Sequence, residues 1–91
     1  MPYIRGFRWD SQNEAHCAAH GVWPDDLEWI LAEGEYVLIR NRKGMAASHL
    51  LVGRRRDGAP ITAAIRETST PGIWRPVSAW FSKPREAALL D

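Results

Sequence analysis

Three histidines, one cysteine and a set of arginines are the residues with chemistry to offer in this 91-residue chain. His16 and His20 stand four apart, a spacing that puts two imidazoles on one side of a helix, with Cys17 beside them. The zinc-protease motif would require a Glu between those histidines, and no third ligand is close in sequence. A metal-dependent hydrolase is therefore the weakest reading, and no cofactor is expected. His49 is isolated, and Cys17 reads as a small buried side chain rather than a nucleophile. Arg54, Arg55 and Arg56 crowd one short stretch, and Arg66, Arg75, Lys83 and Arg85 follow it. Ten of the twelve basic residues are arginine, whose planar fork suits bidentate contact with phosphate or carboxylate.

The formal net charge of +1 conceals a division: residues 1–38 carry −5 and residues 39–91 carry +6. Such asymmetry is expected of a half that binds a polyanion, and equally of two halves that pair across a fold. With 45% hydrophobic and 25% charged residues, the chain has the composition of a globular domain, not of a disordered tail. A single cysteine forms no internal disulfide. No apolar run approaches the ~20 residues of a membrane span, and no hydrophobic signal segment opens the sequence. The expected location is cytoplasmic.

These residues must be positioned by one small domain spanning 1–91. Tyr3, Ile4, Phe7 and Trp9 suggest a first strand. Ser11 with Glu14 predicts a capping box for a first helix that stops at Gly21. Pro24, Asp25 and Asp26 open a second helix closed by Gly34, with Trp23, Leu27, Ile30 and Leu31 on one face. Candidate strands follow at Tyr36–Arg40, His49–Arg54, Ile61–Glu67 and Trp74–Phe81. Asp57-Gly58 is a hairpin signal between the second and third of them. Pro76 implies an edge or a bulge, and Pro84–Leu90 a short terminal helix. The expected fold is α+β: two N-terminal helices and a short C-terminal helix packed on a curved, mainly antiparallel sheet of four to five strands. Five tryptophans are a high dose for this length. Trp9, Trp23 and Trp29 are expected in the helix–sheet core or at its rim. Trp74 and Trp80 share parity on the last strand, which predicts one shared face for core, partner docking or base stacking.

Taken in order, Phe7, Trp9, Asp10, Asn13, His20, Gly21 and Val22, followed by acidic Asp25, Asp26 and Glu28, resemble the opening of the BrnT-type toxins of bacterial toxin–antitoxin pairs. Gly53, Asp57-Gly58, Arg75-Pro76-Val77-Ser78-Ala79 and Arg85-Glu86 extend the resemblance over nearly the whole chain. It implies a RelE-like fold, metal-independent RNA cleavage with inhibition of translation, and neutralisation by a small cognate antitoxin. The assembly would be a homodimer or a toxin–antitoxin hetero-oligomer. Trp80 stands where the family pattern has an arginine, and Ala19 where it often has a lysine or arginine, which leaves a non-catalytic protein- or RNA-binding module as the alternative.

Cleavage of RNA without metal needs a base for the 2′-hydroxyl, an acid for the leaving oxygen and cations on the phosphate. His20, the one histidine inside a matching motif, is the expected acid or base, and Arg75, Lys83 and Arg85 the expected phosphate clamp. Arg54, Arg55, Arg56 and Arg66 are the expected RNA contacts, and Trp74 and Trp80 the expected partner contacts.

Overall fold

A computed structural model describes residues 3–91. The elements run β1 (Gly6–Phe7), α1 (Ser11–Ala18), α2 (Pro24–Glu33), β2 (Tyr36–Arg40), β3 (His49–Arg54), β4 (Pro60–Glu67), β5 (Ile73–Phe81) and α3 (Pro84–Ala87), with a 3-10 turn over Ala88–Leu90. This is the expected α+β element order. The strands form one five-stranded sheet in the order β1-β5-β4-β3-β2. β2 through β5 are antiparallel neighbours, and the two-residue β1 pairs parallel to β5, so the sheet is mixed.

Alternation along the strands sends one set of side chains to each face. One face carries Leu51, Ile61, Ala63, Ile65, Trp74 and Ala79, buried against Cys17 of α1, Val22, and Leu27 and Ile30 of α2. Gly53 belongs to the same face. A Cβ there would come within 2.7 Å of Ile30 Cγ2 and 3.1 Å of the Glu35 carbonyl, so only glycine lets α2 sit this close. The other face carries Val52 and Thr62, both fully buried, and Ala64. α3 packs there on β3 and β4. The helices thus divide between the two faces: α1 and α2 on the near one, α3 on the far one.

Three local expectations are corrected. The first concerns α1, which is capped by Asp10 rather than Ser11. Asp10 Oδ1 accepts from Asn13 N–H (2.9 Å), and Asn13 Oδ1 accepts from Asp10 N–H (2.8 Å). Starting the helix one residue earlier lets a buried Asn fill the reciprocal role assigned to Glu14, which is exposed. Asn13 Nδ2 also donates to the carbonyls of Arg8 (3.0 Å) and Pro76 (2.9 Å). One side chain thereby joins β1, α1 and β5 where the β1 ladder has already ended.

The second correction concerns Trp74 and Trp80. Ile65 is paired with Pro76 but Ala64 with Ser78, so Val77 is the extra residue of a bulge. That extra residue inverts the parity. Trp74, Pro76 and Ala79 face α1 and α2, whereas Ser78 and Trp80 face α3. The two tryptophans therefore lie on opposite faces. The third is Trp23, which is 58% exposed beyond the face formed by Leu27 and Ile30. Its backbone N–H is the group that matters at the start of α2, donating to Asp26 Oδ2 (2.9 Å).

Candidate functional site

Along the near face each of three strands changes character at the same end of the sheet. In β2 the near-face row reads Tyr36, Leu38, Arg40; in β3, from the other direction, Gly53, Leu51, His49; in β4, Ile61, Ala63, Ile65, Glu67. Antiparallel register places Arg40 opposite His49 and His49 opposite Ile65. Glu67, two residues beyond Ile65, is the diagonal neighbour of His49, at a spacing of about 7–8 Å that long side chains span. Arginine, histidine and carboxylate thus share a face where the helices no longer cover it.

These residues border a cleft of about 540 Å³ lined by Tyr3, Leu38, Arg40, His49, Glu67, Pro71, Gly72 and Trp74. Trp74 is its floor, 1% exposed, with the indole N–H donating to the Tyr3 carbonyl (2.9 Å). The His49 ring stands edge-on to Trp74, with centroids 5.1 Å apart and planes at 88°. His49 Nδ1 lies 2.8 Å from Ser48 Oγ, which fixes the ring from the other side and leaves Nε2 for a ligand. An imidazole held at two points, a carboxylate and a guanidinium together form the set that proton transfer at a phosphodiester requires.

The residues singled out from sequence are distributed elsewhere. His20 is exposed just past the end of α1, its N–H bonded to the Cys17 carbonyl (3.0 Å) and its ring 6.1 Å from that of His16. Among the described residues no group of three His, Cys, Asp or Glu is arranged to hold a metal ion. Burial pushes the Cys17 thiol up to about 11, which leaves it a poor nucleophile. Arg75 is engaged by Asp10, with Nε–Oδ2 at 3.1 Å and Nη2–Oδ2 at 3.0 Å. The backbone bond from Asn13 is the main influence lowering the Asp10 pKa, and Arg75 adds to it. Lys83 and Arg85 are exposed at the start of α3, past the far end of β5. None of the four lines the cleft.

The arginine triplet is tied into the fold. Arg54 donates to the Gly58 carbonyl (3.1 Å) and Asp91 (3.3 Å). Arg55 bonds Asp57 (2.9 Å), lies 3.7 Å from Asp26 and sits over the Phe81 ring at 5.0 Å. Arg56 lies 5.8 Å from the Trp29 ring centre. Among the described residues, three of the ten basic side chains of that half, Arg54, Arg55 and Arg75, pair with carboxylates, and Arg55 and Arg75 do so across the charge division of the sequence. Arg66 is exposed, opposite Arg75 in the register.

Trp80 borders an apolar groove of about 210 Å³ on the far face, with Met45, Leu50, Ala64 and Val77. Its indole N–H donates to Glu86 Oε1 (3.0 Å), an oxygen that also accepts from Thr62 Oγ1 (2.9 Å) and Lys83 N–H (2.9 Å). Desolvation raises the Glu86 pKa, but the bonds from Lys83, Trp80 and Thr62 together outweigh it and the net shift is downward. This network fastens α3 to the sheet.

Sequence reasoning did not select Tyr3, Arg40, His49 or Glu67 for chemistry. A signal was present: three strands whose alternate positions end in Arg, His and Glu. It becomes readable only when the register says which ends coincide. Compared with protein-family models, with curated proteins and with solved structures, the chain matches none.

Proposed function

We propose that this chain is a metal-independent endoribonuclease of the toxin type, with its chemistry in the sheet-end cleft rather than at His20. The observation that carries the reading is the convergence of Arg40, His49 and Glu67 on one uncovered face beside Trp74. Glu67 takes the proton from a ribose 2′-hydroxyl as its oxygen attacks phosphorus. His49 gives a proton to the departing 5′-oxygen, and Arg40 balances the charge that builds on the phosphoryl oxygens. The products are a 2′,3′-cyclic phosphate and a 5′-hydroxyl. The order strand, two helices, four strands, helix supports a RelE-like lineage. Together with the motif from Phe7 to Val22, it supports membership of a type II toxin–antitoxin pair with a small antitoxin as partner.

The test is incubation of the purified protein with single-stranded RNA in excess EDTA, reading out fragments and their termini. Cleavage that yields cyclic phosphate ends and is abolished by His49→Ala supports the reading. Intact RNA with folded protein overturns it.

A second reading, a binding module without nuclease activity, is favoured by Trp80, whose indole closes the Glu86 network where the family pattern has an arginine. It predicts association with a small protein through the far-face groove, lost on Trp80→Ala, and no RNA cleavage.

A further inference from the structure

Tyr3 is 62% exposed, the most exposed of the large apolar residues among those described, yet it is held in place. Its carbonyl accepts from the buried Trp74 indole (2.9 Å), and the next turn of chain is pinned by Arg5 N–H to the Gly72 carbonyl (2.7 Å). Its ring lies against Gly72: a Cβ at that position would come within 3.1 Å of Cε2 and 3.2 Å of Cζ. Gly72 has φ +82°, a backbone conformation that favours glycine, so the same residue makes the turn and gives the ring its seat. The ring is thus supported on one side and open on the other, at the rim of a cleft holding Arg40 and His49, so it has one free face to offer.

From this geometry we infer that Tyr3 is a stacking platform for an unpaired nucleobase, seating the nucleotide beside the phosphate that enters the cleft. The inference rests on the proposed nuclease reading and supplies its substrate class: single-stranded RNA, because in a duplex both faces of a base are covered by its stacked neighbours. Aromatic stacking tolerates every base, so the platform selects strandedness rather than sequence. The Tyr3 hydroxyl is not needed for stacking, and the carbonyl that anchors Trp74 survives any side-chain change at position 3.

The experiment compares binding of a 2′-O-methyl single-stranded hexanucleotide, which resists cleavage, with its base-free sugar–phosphate analogue of equal charge, and with the same sequence as duplex. The wild-type protein is expected to bind the base-bearing single strand about tenfold more tightly than either comparator. Tyr3→Ala is expected to abolish that preference and Tyr3→Phe to keep it, with unchanged circular dichroism in both. Equal binding of the base-free strand or duplex by wild type, or an undiminished preference in Tyr3→Ala, overturns the inference. Cleavage of ordinary RNA by the wild type is scored separately. Cleavage without base preference removes the platform and leaves the nuclease reading, whereas base preference without cleavage removes the nuclease and leaves Tyr3 as a binding residue.

Discussion

Two histidines mark the two ends of β5 and carry opposite lessons. His20 lies in the most motif-like stretch of the chain, next to Gly21, against which the Phe81 ring packs. His49 lies in no motif, beside Trp74 at the other end, roughly 20 Å away at about 3.3 Å per strand residue. His20 has a neighbouring imidazole and open solvent. His49 has a fixed ring, an arginine opposite, a carboxylate on the diagonal and a concavity in front. A motif around a residue records what the backbone needs there. Chemistry needs convergence, which comes from strands distant in sequence.

The sharpest way to break this contrast is to exchange the fates of the two histidines. His49→Ala is expected to lower kcat on single-stranded RNA about 10²–10⁴-fold, while His20→Ala stays within about twofold of wild type. The reverse pattern would return the chemistry to the end of α1. A second, structural break is Asn13→Ala. It strands the Asp10 N–H and the carbonyls of Arg8 and Pro76, and is expected to cost about 2–3 kcal/mol by thermal or denaturant unfolding. A loss of activity below the melting range, without a loss of stability, would instead give this motif a chemical role.

Glu86→Ala removes the acceptor shared by Thr62, Trp80 and Lys83 and is expected to cost about 1–3 kcal/mol. It should alter Trp80 fluorescence and leave cleft chemistry intact at temperatures where the protein stays folded. The smallest effect is that of acid. Asp10 and Glu86 both have folded-state pKa values below their ordinary 3.8 and 4.5. Each therefore contributes stability that is present above those values and is lost as pH falls through the lower, folded value. A melting temperature that is flat from neutrality to about pH 5 and then falls is expected, with Glu86→Gln flattening part of the fall. A melting curve unresponsive to acid would show that neither carboxylate is coupled to folding.

Much of the architecture was legible along the chain. Tyr36–Arg40 and His49–Arg54 have the bounds their alternation and turn signals imply, and Pro24 and Gly34 frame α2. The turn at Asp57-Gly58 and the departure from regular pairing at Pro76 also lie where those residues require them. Less was legible at the cap of α1, where Asp10 and Ser11 are both good candidates and the choice depends on Asn13 reaching Pro76, 63 residues away. The relation between Trp74 and Trp80 was misread because parity holds only in an unbroken strand, and a one-residue bulge lies between them. The arginines were visible but their partners were not: Arg55 meets Asp26, and Arg75 meets Asp10, across the fold.

By itself the sequence determined which segments are strands and which are helices, because period, caps and turn residues act over a few neighbouring positions. It also determined that Arg40, His49 and Glu67 fall on strand ends. Only the tertiary structure decided that those ends coincide. Register across β2, β3 and β4, and the limited reach of two short helices over the near face, are long-range results of packing. The same packing turned His20 outward and seated Tyr3 on Gly72.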